Sequence, residues 1–281
     1  MRLSRPFVWL QYLLPQHALS RLILRATRIR KPWLKNALVR GFLKLYSIDM
    51  TEAAQGDPFS FDSFNEFFTR ALKPGVRTIA ADQNAIACPV DGTISQAGSI
   101  EGQRLLQAKG RTYALTELLA AQPWAEEFEG GSFATIYLAP FNYHRVHMPV
   151  RGELKDTIYV PGRLFSVNSA TAAHVPKLFA RNERVLTLFD TAFGRVVMIM
   201  VGALNVGSMA TVWAGDITPA ARRTITRLPP RQLALEKGAE MGRFNMGSTV
   251  ILLFQRHRAR WNADLRTGTA VKLGQSLGTL E

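Results

Sequence analysis

Residues Glu240-Met241-Gly242-Arg243-Phe244-Asn245-Met246-Gly247-Ser248-Thr249-Val250-Ile251-Leu252-Leu253-Phe254 place a Gly-Ser step at the mouth of an apolar, partly β-branched run. Bounded in this way, the run from Ser248 to Phe254 reads as a buried strand. A Gly-Ser pair at a strand entrance ordinarily makes a turn or a bulge, because glycine tolerates positive φ and serine binds loose backbone groups. The same pair also admits self-processing. Once a base removes its proton, the Ser248 hydroxyl can attack the carbonyl of Gly247 through a five-membered ring. Gly247, without a Cβ, accepts the distorted backbone that this attack requires. Elimination from the resulting ester, followed by loss of ammonia, leaves a pyruvoyl group at the head of the C-terminal fragment.

The chain of 281 residues, 47% hydrophobic and 20% charged, has a globular composition with material for one sizeable core or two modest ones. Its single cysteine, Cys88, excludes an intramolecular disulfide and fits a cytosolic or membrane-surface setting. Cys88 is expected to be a small buried apolar residue. A formal net charge of +14 calls for an anionic partner. The distribution of that charge favours a membrane over nucleic acid. Arg2, Arg5, Arg21, Arg25, Arg28, Arg30, Lys31, Lys35, Arg40 and Lys44 all precede Asp49, the first acid, and interleave with Trp9, Leu13, Leu22, Trp33, Leu38 and Phe42. Bases, aromatics and bulky apolar residues in this mixture describe helices lying in a membrane interface.

Along the chain, Phe7 to Leu14 is apolar, but Pro15 ends it short of a bilayer span, and no small-residue cleavage site follows. Residues 16–30 and 33–46 read as amphipathic helices, the second with Leu34, Leu38, Phe42 and Leu45 on one face and Lys35, Arg40 and Lys44 away from its centre. Ser63 and Glu66 have capping-box spacing for a helix to about Leu72, stopped by Lys73-Pro74-Gly75. Thr116 to Ala121 reads as a short helix. Strands are expected at 133–138, 157–160, 185–190, 195–206, 209–213 and 248–254. The expected fold class is α+β, with an N-terminal helical appendage at 1–48 and a β-rich catalytic body at 49–281.

A base for Ser248 is most readily an imidazole near neutral pH. Of the five histidines, His17 lies in the helical segment, His257 in a basic stretch and His174 in a loop without an acidic neighbour, which leaves His144 and His147. Their His-x-x-His spacing lacks nearby residues to complete a metal site, so no metal is expected. An orienting carboxylate is also needed. Asp91 in Pro89-Val90-Asp91-Gly92 is available, although an Asp-Gly step by itself reads as a hairpin turn.

Six blocks, in order, give the chain a resemblance to the bacterial membrane-associated phosphatidylserine decarboxylases, pyruvoyl enzymes made by cleavage of a proenzyme. They are Phe64-Asn65-Glu66-Phe67-Phe68-Thr69-Arg70, Pro89 to Ser95, Tyr143-His144-Arg145-Val146-His147-Met148-Pro149, Tyr159-Val160-Pro161-Gly162 with Phe165 to Asn168, Leu178 to Arg184, and Glu240 to Val250. Where the family has Leu-Gly-Ser-Thr, this chain has Met246-Gly247-Ser248-Thr249, a volume-conserving change expected to leave processing intact. The resemblance implies a charge-relay triad of Asp91, His147 and Ser248, and a role for His144 in substrate contact or protonation. It implies cleavage between Gly247 and Ser248 into a β chain, 1–247, and an α chain, 248–281, held together as an αβ heterodimer that further dimerisation would extend. It also implies Schiff-base formation between the pyruvoyl carbonyl at position 248 and the amine of phosphatidylserine, with the carbonyl as electron sink. The product is phosphatidylethanolamine. The expected location is the cell membrane, peripheral, on its cytoplasmic side.

Three other readings make different demands. Gly274-Gln275-Ser276-Leu277-Gly278 matches a hydrolase nucleophile elbow, but no acid and histidine follow it in the required order. An unprocessed serine hydrolase built on Asp91, His147 and Ser248 would remain one chain. A basic lipid- or nucleic-acid-binding module would be indifferent to Ser248→Ala. A decarboxylase of soluble amino acids would leave the first 48 residues without a purpose.

Overall fold

The computed structural model describes residues 4–204, 208–218, 224–229, 231–246 and 249–281. The apolar run after Ser248 lies at its centre: Thr249–Phe254 is buried at every residue and hydrogen-bonds to a strand on each side. Burial on both faces is why the run shows no polar alternation. The strands used below are β1 (Gly92–Ser99), β2 (Ser132–Tyr137), β3 (Arg145–His147), β4 (Gly152–Val160), β5 (Arg184–Thr191), β6 (Gly194–Val201), β7 (Met209–Thr211), β8 (Glu240–Phe244) and β9 (Thr249–Phe254). The large sheet is nine-stranded and antiparallel throughout, in the order Thr226–Arg227, β4, β5, β6, β9, β2, β1, Ala270–Val271, with Ala234–Leu235 also on β4. A smaller sheet runs Gly215–Asp216, β7, β8, β3.

The stretch from Glu240 to Phe254 therefore passes from one sheet to the other. β8 belongs to the small sheet, β9 to the large one, and only Asn245 to Ser248 connect them. Gly247 and Ser248 themselves lie outside the described residues. The Asp91-Gly92 step enters strand β1 and makes no hairpin turn. A Cβ on Gly92 would lie 2.5 Å from the Tyr137 carbonyl oxygen, so glycine is what lets β1 close on β2 there.

At the N-terminus, α1 (Ser4–Leu13), α2 (Gln16–Thr27) and α3 (Pro32–Leu45) follow the prolines that separate them. The chain is thus α+β, a β-rich body with an N-terminal helical segment, and no helix among the described residues is long and apolar enough to cross a membrane. Side-chain amides tie α1 and α2 to the body: Gln11 Oε1 accepts from Ser166 N at 2.7 Å and Gln16 Oε1 from Leu164 N at 2.8 Å. His17 Nε2 donates to the Gly162 carbonyl at 2.9 Å. α3 instead packs on α4 (Phe64–Phe68), where Val39, Phe61, Phe64, Phe67 and Phe68 form a separate cluster and Phe42 meets three of those rings edge-on. Lys35 is buried on this face, against the sequence expectation, because its ammonium donates to the Phe59 carbonyl at 2.5 Å.

Two helices are shorter than their patterns suggest. Ser63 Oγ accepts from Glu66 N at 3.2 Å as expected of a cap, yet α4 stops at Phe68 because Leu72 leaves to bridge Ala53. The helix in the 116–121 region covers only Leu115–Leu118, since Ala120 and Ala121 turn to φ of 52° and 53°. The α3–α4 layer is open to a direct test. Phe67 is fully buried, and Phe67→Ala is expected to cost about 3–5 kcal/mol in urea unfolding; a loss below ~1 kcal/mol would mean that this layer contributes little to holding the fold.

Candidate active site

Asp91 is buried at the entrance to β1. Its Oδ1 accepts from Arg77 Nε at 3.0 Å and from Leu273 N at 2.8 Å, and its Oδ2 from Arg77 Nη2 at 2.6 Å. The same guanidinium forks onto Glu52 at 2.9 and 2.6 Å. These bonds hold Arg77 above its ordinary pKa and Glu52 below the usual carboxylate range. Two carboxylates thus share one cation, a geometry suited to the planar fork of arginine.

β3 runs alongside this cluster, its His147 N–H donating to the Pro89 carbonyl at 2.9 Å. The His147 ring makes two contacts. Nδ1 lies 2.8 Å from the Gly238 carbonyl, which can only accept, so Nδ1 carries the proton. Nε2 therefore presents its lone pair, and the Tyr143 hydroxyl donates to it at 3.1 Å. Burial lowers the pKa of His147, opposed by its bond to Gly238 and by the charges of Glu240 and Asp91. Burial in turn pushes Tyr143 up to about 12, so it remains a donor. The result is a neutral imidazole with a basic Nε2, the form a general base requires. No hydrogen bond joins Asp91 to His147 among the described residues, though the Asp91 charge is felt at the ring. The Gly238 carbonyl fixes the tautomer where the sequence reading expects a carboxylate to do so, and Asp91 acts on the ring through its charge.

His144 is the more enclosed of the pair. It is fully buried and stacked on Phe68 with ring centres 4.2 Å apart. Its Nε2 donates to the Pro140 carbonyl at 3.2 Å, and Nδ1 has no partner. Burial pushes its pKa down to about 3. The Pro140 that holds it lies three residues beyond Tyr137, the cross-strand partner of Thr249, which sets His144 near the start of β9. Among the described residues, Thr249 Oγ1 and two N–H groups of the buried Arg70 are likewise unpartnered. Unsatisfied buried polar atoms are rare, and Thr249, His144 and Arg70 carry four of those found among the described residues.

His144 makes stability sensitive to acid. Below pH 6.5 the unfolded chain takes up a proton that the native chain refuses until about pH 3. Stability is therefore lost as pH falls through that window, by up to about 2 kcal/mol between pH 6.5 and 5. Urea midpoints measured across this range should fall less steeply for His144→Gln; equal slopes for parent and variant would contradict the assignment.

Arg77, Tyr143, Gly238 and Arg70 are parts of this constellation that the sequence reading does not single out as site residues. Tyr143 and Arg70 stand inside quoted blocks, and an interest in hydroxyl and cationic neighbours of the histidines would have found them. Arg77 and Gly238 carry no local signal. A cavity of about 790 Å³, lined among others by Arg28, Arg30, Asn65, Glu66, Arg243 and Asn245, opens between the end of α2 and β8. It reaches to within two residues of Gly247 along the chain.

A family model described as phosphatidylserine decarboxylase matches residues 64–279, and one described as PSD matches residues 6–47. Among curated relatives, a phosphatidylserine decarboxylase proenzyme of Methylococcus capsulatus is 55% identical over 276 residues, covering 97% of this chain and 96% of the relative. Proteins of the same name from Ectopseudomonas mendocina and Pseudomonas aeruginosa are 51% and 50% identical, covering 99% and 98% of this chain and 99% and 96% of their own lengths. The chain is a decarboxylase, a lyase. The chain belongs to the phosphatidylserine decarboxylase family.

Proposed function

We propose that this chain is a proenzyme that cleaves itself between Gly247 and Ser248 and then decarboxylates phosphatidylserine to phosphatidylethanolamine at a membrane surface. The observation that carries the reading is the neutral, tautomer-fixed His147, with its basic nitrogen accepting from the Tyr143 hydroxyl. In this reading His147 Nε2 takes the Ser248 proton, directly or through Tyr143. The Ser248 oxygen bonds to the Gly247 carbonyl carbon and the peptide C–N bond breaks, giving an ester and a free amine. Removal of the Cα proton of residue 248 expels the Gly247 carboxylate, and water converts the remaining enamine, through its imine, to a ketone and ammonia. Asp91, held by Arg77, stabilises the imidazolium that forms.

The pyruvoyl group so formed supplies an electron sink for the charge left when carbon dioxide departs. The surrounding residues suit such a group. Thr249 Oγ1, unpartnered among the described residues, can donate to a new carbonyl, while the stacked, neutral His144 can receive a proton at Nδ1 and return it without meeting bulk water. The 1–247 and 248–281 fragments are expected to stay together, because β9 lies in the middle of the large sheet between strands of the other fragment.

Membrane contact is supported by the helical segment, where Trp9, Leu13, Leu22, Trp33 and Leu45 are 64–83% exposed beside the basic residues. Residues 1–48 act, in this reading, as a peripheral anchor on the cytoplasmic leaflet, and 49–281 as the catalytic body. The test is release of carbon dioxide from vesicles containing phosphatidylserine, compared with free serine, before and after treatment with a carbonyl reagent. The proposal expects rapid release from vesicles, little from serine, and inactivation by the reagent. Equal rates on serine would overturn the substrate assignment, and insensitivity to the reagent would overturn the pyruvoyl group.

A further inference from the structure

We propose that the small cavity between the end of α4 and the β3–β8 pair binds a phosphate-type oxyanion, which during the reaction is the phosphodiester of the lipid head group. This rests on the substrate reading above and adds to it the place where the head group is held. The cavity, about 220 Å³, is lined by Arg70, Arg145 and Arg243 together with Glu66 and Thr69.

Counting the ionic partners of these groups leaves a surplus of positive charge. Arg145 and Arg243 stand directly opposite one another in the β3–β8 ladder, an arrangement in which like charges repel. Arg145 is compensated: it reaches Glu240 at 2.8 Å and donates to the Thr69 carbonyl at 2.9 Å. Arg243 has no ion pair among the described residues. Arg70 is 5% exposed, and its only hydrogen bond among the described residues, from Nη2 to the Phe141 carbonyl, is 3.5 Å long. Its Nε and Nη1 donate to nothing among the described residues, although it sits over the Phe67 ring. Glu66, the acid on this cavity, already accepts from Asp62 N at 3.2 Å and lies 3.7 Å from Arg30.

A buried guanidinium with idle N–H groups is costly unless an anion completes it. Arginine forks match the paired oxygens of a phosphate, so a single phosphodiester bridging Arg70 and Arg243 would satisfy the idle donors and relieve the cross-strand repulsion. The location also suits the substrate. Arg243 lines the larger cavity as well, and that cavity extends to Asn245, just ahead of the cleavage step. In phosphatidylserine the phosphorus is only a few bonds from the reacting amine. A phosphate fixed by these arginines leaves the serine moiety to reach toward position 248 while the acyl chains point back toward the helical segment.

The test uses the full-length, self-processed chain and Arg243→Gln, an exposed and unpaired position where folding should be retained. Two measurements are made on both proteins: ³¹P NMR titration with inorganic phosphate, and KM with kcat for phosphatidylserine in detergent micelles. The expected result is phosphate binding at least about tenfold weaker in the variant, with a rise in KM of about tenfold that exceeds any fall in kcat. Unchanged phosphate binding would overturn the site. Weakened phosphate binding with an unchanged KM would overturn the head-group assignment and leave a site for free phosphate. Absence of decarboxylation in the parent would reject the substrate reading, while the phosphate titration would still report on the cavity.

Discussion

Ser248→Ala is expected to leave the protein as one uncut chain of 31.3 kDa and to reduce carbon dioxide release from phosphatidylserine vesicles to background. Without the hydroxyl no ester forms, and without the ester no electrophile is made. The parent protein should yield two fragments, residues 1–247 and 248–281, the second lighter by one ammonia than its serine-headed form. Loss of a nucleophile whose chemistry has no substitute costs on the order of 10⁶-fold, so residual turnover should fall below detection. Intact mass measured side by side decides the matter. A variant that still cleaves would place the nucleophile elsewhere, and a parent that stays uncut yet decarboxylates would remove the need for a pyruvoyl group.

The second large effect separates the two histidines. His147→Ala should slow processing by about 10²–10⁴-fold, the contribution of a positioned general base. The fall is expected because Nε2 is the one ring nitrogen of the pair left basic next to a hydroxyl, with Nδ1 committed to Gly238. His144→Ala should process at close to the normal rate but decarboxylate slowly, since the His144 ring is sealed against Phe68 and offers its lone pair only inside the protein. The time course of fragment appearance after rapid refolding measures the first step, and carbon dioxide release from the mature protein measures the second. Normal processing in His147→Ala would reject His147 as the base.

Family membership has a physical counterpart in how the opening stretch is used. β8 and β9 belong to different sheets and are joined by only four residues, so the chain changes sheets between Phe244 and Thr249. After cleavage, β9 would still be held by hydrogen bonds to β2 and β6 along its whole length, which gives a physical reason for the small fragment to remain in place.

Much of this was legible in the chain before folding was considered. The long apolar runs gave β2, β5 and β9 to within a residue or two over the described positions, because a strand buried on both faces needs unbroken apolar residues, whereas β6 ends at Val201, short of the expected 206. The prolines at 15 and 32 set the helix boundaries of the N-terminal segment, and its one-sided charge was visible from composition alone. His144 and His147 stood out because few histidines were available to choose from. What the sequence could not decide was every relation between distant residues of weak local character. Arg77 meets Asp91 and Glu52 only when three separate segments converge, and Gly238 holds His147 through a backbone carbonyl that no residue type announces. The early ends of α4 and of the Leu115–Leu118 helix came from a bridge to Ala53 and from left-handed backbone at Ala120 and Ala121. Lys35 turned inward because a carbonyl 24 residues away needed a donor. Sequence determined which segments must be buried and which residue types carry chemistry; tertiary structure alone decided their partners, because hydrogen bonds and charges depend on distances that chain order does not contain.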